Sequence, residues 1–229
     1  MGARGFEMRV TLPAGRAVSA SVALSPAQRP GRTPAVILAP GAGTGRRHPS
    51  LAGIQEALAD AGWPTVTFDF PYREAGRRAP DARPVLEACW CSVIEAVRKE
   101  PRLAPPWVVI GGRSMGGRIA SHVAAGGADV RGLVFLAFPL HPAGRPGVER
   151  AAHLERIAAP MLFVQGTKDA LADPALLAGV LRRLPRATLH ELPGADHSFR
   201  LPRRSGRDDA SVRAEVVARV TAWLDNLAD

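Results

Sequence analysis

The segment VVIGGRSMGGRIA, residues 108–120, decides the fold of this chain. A largely β-branched apolar run leads directly into the pattern G-x-S-x-G, and small, helix-compatible residues follow it. This order predicts a strand, a sharp turn and a helix, with Ser114 at the turn. The residues two positions from such a serine must lack a Cβ atom, and Gly112 and Gly116 meet this requirement. The alternative is a glycine-rich loop with an incidental serine, because the chain holds 23 glycines.

Apolar runs alternate with helical patterns on both sides of this segment. Strands are predicted over Glu7–Leu12, Ala17–Leu24, Ala35–Ala39, Thr65–Phe70, Trp107–Gly111, Leu133–Phe138, Met161–Gln165 and Ala187–Leu192. Helices are predicted over Ser50–Ala61, Pro84–Glu100, Met115–Ala125, Val148–Ile157, Pro174–Leu184 and Ala210–Leu227, with a polar loop over 71–83. This alternation predicts a mostly parallel sheet flanked by helices on both faces. The short interval between Phe138 and Met161 leaves no room for a large lid domain.

Length and composition predict one globular domain over residues 1–229, since the chain suffices for one substantial core and is short for two. Hydrophobic residues make up 46% and charged residues 22%. No apolar run approaches the roughly 18 residues of a membrane span, and residues 1–7 lack a hydrophobic signal region. We therefore expect a cytoplasmic protein. Cys89 and Cys91 lie two positions apart in a predicted helix and point in different directions, which predicts reduced thiols.

The net charge of +9 comes almost wholly from arginine, because Lys99 and Lys168 are the two lysines among 30 basic residues. A GC-rich genome produces this bias without selection for phosphate contacts. Runs of five or six basic residues are absent from the sequence, and aromatic residues for base stacking are scarce, at 5%. We expect a small-molecule partner rather than a nucleic acid.

A carboxylate and a histidine follow two later strands of the predicted sheet. Asp169 comes after the strand Met161–Gln165, and His197 comes after the last strand. The carboxyl ends of parallel strands meet at one edge of a sheet, so these side chains are expected near Ser114. A serine hydroxyl needs an adjacent base to become a nucleophile. The chain order serine, acid, histidine predicts that Ser114 attacks an acyl carbon, His197 carries its proton and Asp169 orients the imidazole.

Other acids and histidines fit these roles less well. Asp173 precedes the first proline of a predicted helix and is expected to cap it. Asp196 adjoins the proposed base and would struggle to reach its ring, while Asp69 belongs to an earlier strand and suits a structural or pocket role. His122 and His190 lie within a predicted helix and strand and are expected to be packed or surface residues.

An oxyanion that forms on the acyl group needs two N–H donors. One is the amide of Met115, and the other is expected from the glycine-rich loop 40–45, from Ala42 with Gly43 nearby. A phosphate-binding loop is the alternative, but the lysine and hydroxyl residue of a Walker motif are absent, and Arg46 stands where G-x-G-x-x-G needs its last glycine. Neither a metal site nor a cofactor is predicted, because no cluster has the spacing of metal ligands.

Several arginines lie at the same predicted edge. Arg46, Arg47, Arg77 and Arg78 occupy loops after successive strands, and Arg113 and Arg118 flank Ser114. One interpretation is a solvated basic surface. The other is a substrate-binding role, for which Arg46, Arg77, Arg78 and Arg113 are the candidates, because guanidinium groups bind carboxylates and phosphates in a bidentate manner.

Seven short motifs carry a family resemblance: PGAG (40–43), HP (48–49), FDFPY (68–72), GRRAPD (76–81), GGRSMGGR (111–118), QGTKD (165–169) and DHSF (196–199). From about Ala35 to Phe199 the chain resembles the α/β-hydrolase superfamily, and more narrowly the KANL3/Tex30-like hydrolases, relatives of dienelactone hydrolases. The resemblance implies an α/β-hydrolase core with Ser114, Asp169 and His197 as its triad. Dienelactone hydrolases proper use a cysteine nucleophile, whereas this chain has a serine.

Together, these features predict a cofactor-free serine hydrolase that cleaves a small ester or thioester through an acyl-enzyme, as a carboxylesterase or a thioesterase. A monomer or homodimer with no membrane partner is expected. Some members of the group that the chain resembles serve as parts of larger assemblies. The alternative function is therefore a non-catalytic interaction module with the same fold.

Overall fold

One sheet of eight strands organises the computed structural model, which describes residues 4–228. The strands are β1 (Arg4–Thr11), β2 (Ala17–Leu24), β3 (Ala35–Ala39), β4 (Thr65–Phe68), β5 (Val108–Arg113), β6 (Gly132–Leu136), β7 (Met161–Gly166) and β8 (Ala187–Leu192). Their order across the sheet is β1-β2-β4-β3-β5-β6-β7-β8. β1 and β2 pair antiparallel with their neighbours, and β4, β3, β5, β6, β7 and β8 run parallel.

Helices cover both faces of the sheet. They are α1 (Pro49–Asp60), α2 (Pro71–Glu74), α3 (Arg83–Lys99), α4 (Met115–Ala125), α5 (Pro174–Leu181) and α6 (Asp209–Ala228). Successive side chains of a strand point to opposite faces. In β3, Ile37 joins a core built with α3, α4 and α5, whereas Val36 and Leu38 join a second core built with α1 and α6. The predicted mostly parallel sheet with helices on both faces is confirmed.

Element ends differ from the sequence prediction in a few places. The strand predicted to reach Phe70 ends at Phe68, and the short helix α2 lies inside the predicted loop 71–83, because the Phe70 carbonyl accepts the amides of Arg73 and Glu74. β5 continues to Arg113, directly before the serine turn. The helix predicted over Val148–Ile157 is a 3-10 helix over Glu149–Arg156.

The connection from β6 to β7 contains this 3-10 helix as its regular element, and the predicted absence of a large lid agrees with it. Among the helices of residues 4–228, none is long and apolar enough to cross a bilayer.

Candidate active site

Ser114 occupies a strained turn between β5 and α4. Its backbone has φ +50° and ψ −117°, a left-handed region that costs a non-glycine residue about 1–3 kcal/mol. The Ser114 amide donates to the Leu136 carbonyl at 2.9 Å, which fixes the turn against β6. A Cβ atom at Gly112 or Gly116 would collide with the Ala39 carbonyl. Both predicted glycine requirements therefore have a physical cause, the close approach of the turn to β3.

Ser114, His197 and Asp169 lie in one chain of hydrogen bonds. His197 Nε2 is 2.8 Å from Ser114 Oγ, and His197 Nδ1 is 2.7 Å from Asp169 Oδ2. The Asp169 side chain is fully buried, while that of His197 is 27% exposed. The parallel strands β5 and β7 and the loop after β8 thus bring together three residues that are far apart in the sequence.

The Asp169 carboxylate is held from two further directions. Gln165 Nε2 donates to Oδ2 at 2.6 Å, and the Leu171 amide donates to Oδ1 at 2.8 Å. These donors compensate the loss of water around a buried carboxylate and aim Oδ2 at the imidazole. Gln165 lies in the motif QGTKD four residues before the acid, but its role was not predicted from the sequence.

The alternative acids and histidines lie elsewhere. Asp173 accepts the Leu176 amide at 3.0 Å and caps α5, as predicted. Asp196 Oδ1 accepts two amides of its own turn, those of Ser198 and Arg200, at 2.7 and 2.9 Å. His190 Nε2 lies 2.8 Å from Glu215 Oε1.

The backbone amides proposed as oxyanion donors differ in whether they already donate to an acceptor in the protein. As the first residue of α4, Met115 has an amide without an acceptor inside the helix. The Ala42 amide has no protein acceptor among residues 4–228, and Ala42 borders the same cavity as Ser114. The Gly43 amide instead donates to Tyr72 Oη at 3.2 Å, so it braces the loop. Ala42 and Met115 therefore form the better pair of donors.

Two carboxylates already pair with the Arg46 side chain. The residue is 7% exposed; its side chain lies 2.7 Å from Glu7 Oε2 and 3.4 Å from Asp69 Oδ2, and its amide donates to Asp69 Oδ1 at 2.8 Å. Burial raises the pKa of the Asp69 carboxyl, and the Arg46 amide and charge oppose this rise. Arg46 thus anchors its loop to β1 and to the end of β4, and its substrate-binding role stays a prediction.

The other three candidate arginines also lie outside the cavity beside Ser114. Arg77 pairs with Asp81 at 2.5 Å, and Arg78 is exposed. The Arg113 guanidinium donates to the His197 carbonyl and lies 4.8 Å from the centre of the Phe199 ring. Burial lowers the pKa of Arg113. Through its two contacts, the Arg113 side chain supports the loop that carries His197.

A cavity of about 330 Å³ opens beside Ser114, Met115 and Ala42. Its apolar walls come from Leu86, Met115, Ile119, Pro139 and Leu171, and its charged walls from Asp81, Arg83, Arg118 and Arg150. Arg118 stands out in the sequence because it closely follows the serine. Arg83 and Arg150 were missed, since they reach the cavity from α3 and the 3-10 helix with no local signal. Within residues 4–228 no group of three or more metal-ligating side chains is found.

Comparisons with solved structures support the fold. An α/β serine hydrolase without a lid from Xanthomonas campestris is 21% identical, with 96% of this chain and 95% of that chain covered and a TM-score of 0.74. A dienelactone hydrolase from Anabaena variabilis is 19% identical, with 98% of each chain covered and a TM-score of 0.76. Est1E of Butyrivibrio proteoclasticus with bound ferulic acid is 15% identical, with 96% and 99% covered and a TM-score of 0.77. At these identities the likeness shows a shared fold.

The sequence itself matches a family model described as an alpha/beta hydrolase domain, over residues 32–225. This range begins just before β3 and ends inside α6, so it includes the serine turn and the loops of Asp169 and His197. The chain therefore belongs to the α/β-hydrolase domain family.

Proposed function

We propose that this protein is a serine hydrolase that cleaves a small ester or thioester, with Ser114 as nucleophile, His197 as general base and Asp169 as the acid that orients it. The observation that carries the proposal is the continuous hydrogen-bond chain, 2.8 Å from Ser114 Oγ to His197 Nε2 and 2.7 Å from His197 Nδ1 to Asp169 Oδ2. The same three roles occur together in acyl-transfer enzymes on unrelated folds.

Acylation begins when Ser114 Oγ attacks the acyl carbon and His197 Nε2 takes the hydroxyl proton. The negative charge moves to the carbonyl oxygen, where the amides of Met115 and Ala42 can donate to it. As the tetrahedral intermediate collapses, the imidazolium returns the proton to the leaving oxygen or sulfur. Asp169, which is fully buried, keeps Nδ1 protonated and stabilises the imidazolium.

Deacylation repeats these steps with water as the nucleophile. His197 takes a proton from a water molecule as that water attacks the acyl-enzyme carbonyl. His197 then returns the proton to Ser114 Oγ as the acyl group leaves as a carboxylic acid. Water can approach the imidazole, because the His197 side chain is 27% exposed.

The cavity favours a small acyl group. Its volume of about 330 Å³ is at the lower end of ligand-binding sites, and its walls beside Ser114 include Leu86 and Ile119. Large acyl groups would extend beyond it into solvent.

We further propose that the chain belongs to the KANL3/Tex30-like group. Support comes from the motif GRRAPD, residues 76–81. Its last residue, Asp81, borders the cavity and is paired with Arg77, so the motif forms one wall of the proposed site.

A fluorophosphonate probe tests the proposal most directly, because it labels activated serines. We expect labelling of the wild-type protein at Ser114 and none of the Ser114→Ala variant. A series of 4-nitrophenyl esters should show faster turnover for acyl chains of about two to six carbons than for chains of about twelve. A folded protein that takes no label and cleaves no ester would favour a non-catalytic interaction module.

A further inference from the structure

Positive charge surrounds the cavity beside Ser114. Arg118 lies one helical turn after the serine, and its amide donates to the Ser114 carbonyl at 3.1 Å. Arg83, in the first turn of α3, and Arg150, in the 3-10 helix, border the same cavity. Three separate elements thus direct arginines to one small space.

Neighbouring carboxylates balance only part of this charge. Arg83 Nε lies 3.2 Å from Glu87 Oε1, and the cavity's own carboxylate, Asp81, is paired with Arg77 at 2.5 Å. Arg118 and Arg150 form no ion pair within residues 4–228. Two guanidinium charges at the cavity therefore lack an acidic partner.

The Arg118 side chain lies in an unfavourable environment. Its Nε atom is buried without a hydrogen-bond partner. Burial lowers the pKa of its guanidinium, and the charges of Arg150 and Arg83 lower it further. The group remains protonated at neutral pH, since arginine does not deprotonate in proteins. An anion in the cavity would offset the repulsion among these positive charges.

The position of the cavity indicates which part of a substrate it receives. His197 must protonate the leaving group, so that part of the substrate lies toward His197. The cavity is bordered by Ala42 and Met115, whose amides face the carbonyl oxygen in the proposed reaction, and by no residue of the loop 196–199. The acyl part therefore enters the cavity.

We propose that the cavity binds an acyl chain that ends in a carboxylate, with Arg118 and Arg150 as the ligands of that carboxylate. The substrate class is then a monoester or monothioester of a short dicarboxylic acid. This inference rests on the proposed hydrolase function for its reaction. Leu86 and Ile119 would contact the methylene groups. Ser114 directly precedes α4 and Arg118 lies in its first turn, about 6 Å further along the helix axis, so we choose an acyl chain of about four to six carbons.

A matched pair of substrates tests the carboxylate. The 4-nitrophenyl monoester of adipic acid is compared with the same compound whose distal carboxylate is capped as a methyl ester, and nitrophenolate release is followed for both. We expect kcat/KM to be at least about tenfold higher for the anionic ester at low ionic strength. The preference should shrink as salt is added, because the cavity is open to solvent. Equal values for the two esters would overturn the proposal.

Substitutions test which arginines cause the preference for the anionic ester. Arg118→Met and Arg150→Met should each lower the ratio of the two kcat/KM values by about fivefold or more. Arg219→Met removes the same charge from an exposed position of α6 and should leave the ratio unchanged. A ratio that falls equally in all three variants would mean that net charge alone is responsible, which would also overturn the proposal.

Binding separates this proposal from the hydrolase proposal. Adipate is titrated by calorimetry into the Ser114→Ala protein and into the same protein with Arg150→Met added, which keeps the test valid if Arg118→Met fails to fold. We expect binding that weakens at least about fivefold in the second protein. Binding without any probe labelling or turnover of the wild-type protein would refute the hydrolase and leave the carboxylate site standing. Adipate that does not bind, or binds both proteins equally, would refute the site.

Discussion

Two serine–histidine hydrogen bonds of nearly the same length lie close together in this protein. Ser114 Oγ is 2.8 Å from His197 Nε2, and Ser121 Oγ, two helical turns further along α4, is 2.7 Å from His153 Nε2. Their lengths do not distinguish them. Their surroundings do, and these favour the Ser114 pair as the one proposed to act on a substrate.

The proton of Ser121 is directed away from its histidine. Ser121 Oγ donates to the Arg118 carbonyl at 2.7 Å, so His153 Nε2 donates to the serine and cannot accept its single proton. The serine is fully buried, and the His153 ring stacks on His122 with centroids 3.7 Å apart. No carboxylate within residues 4–228 pairs with His153.

Ser114 differs in each respect. It stands on a strained turn beside a cavity, its histidine is partly exposed, and Asp169 lies on the far side of the imidazole. The comparison shows that a short serine–histidine contact is no sign of catalysis by itself. Access, a carboxylate and a free proton acceptor are also needed.

The largest expected effect comes from removing the proposed nucleophile, Ser114. Ser114→Ala should lower ester turnover by about 10⁴–10⁶-fold, as the loss of a triad nucleophile does. Ser121→Ala should keep most of the activity but lose about 1–3 kcal/mol of stability, because the His153 donor is left unpaired in the interior. Turnover and thermal unfolding of both variants measure this contrast. Equal losses of activity would remove the distinction between the two pairs.

The next largest effect is expected at Asp169, the carboxylate beside the Ser114–His197 pair. Asp169→Asn should preserve the fold and lower kcat by about 10⁴-fold, because the imidazole then takes the wrong tautomer. Asp196→Asn is the matched control, since its remaining oxygen can still accept the amides of Ser198 and Arg200. A larger loss in the control than in Asp169→Asn would show that the carboxylate is wrongly assigned.

The smallest effect concerns the pH dependence of stability at the second pair. Burial is the main cause that lowers the pKa of His122 to about 4 and that of His153 to about 3, with nearby positive charge adding to it. Below the unfolded pKa of about 6.5, the unfolded chain binds more protons than the folded one. The contribution of these neutral, buried histidines to the stability of the fold is therefore complete above about pH 6.5 and is lost as the pH falls toward 4 and 3.

His153→Gln should flatten this dependence. The drop in Tm between pH 7 and pH 4.5 should be smaller than in the wild type by about 3 °C, measured by thermal unfolding at several pH values. Exposed His48 supplies the control, since His48→Gln should leave the slope unchanged. If the His153→Gln slope matched the wild type, the buried pair would not be a source of acid sensitivity.

The serine turn shows what a local pattern can predict. A β-branched run, two glycines and a helix-compatible stretch specify β5, the turn and α4, because each depends on neighbouring residues. The positions of Asp169 and His197 followed from the rule that parallel strands end at one edge. The helix predicted near Val148–Ile157 is a 3-10 helix over Glu149–Arg156, a type that the sequence did not predict, because an apolar pattern does not distinguish i→i+3 from i→i+4 hydrogen bonds.

The arginines show which features the sequence patterns could not predict. Arg46 follows β3 at the expected edge, but Glu7 and Asp69, from distant parts of the chain, bind its guanidinium. Arg150 carries no signal in the sequence and still reaches the cavity. The sequence by itself determined the order of the elements and the residues at the sheet edge, because these depend on local patterns and on strand direction. Only the tertiary structure decided which charges are neutralised and which face the cavity, because ion pairs and burial arise from packing between segments far apart in the chain.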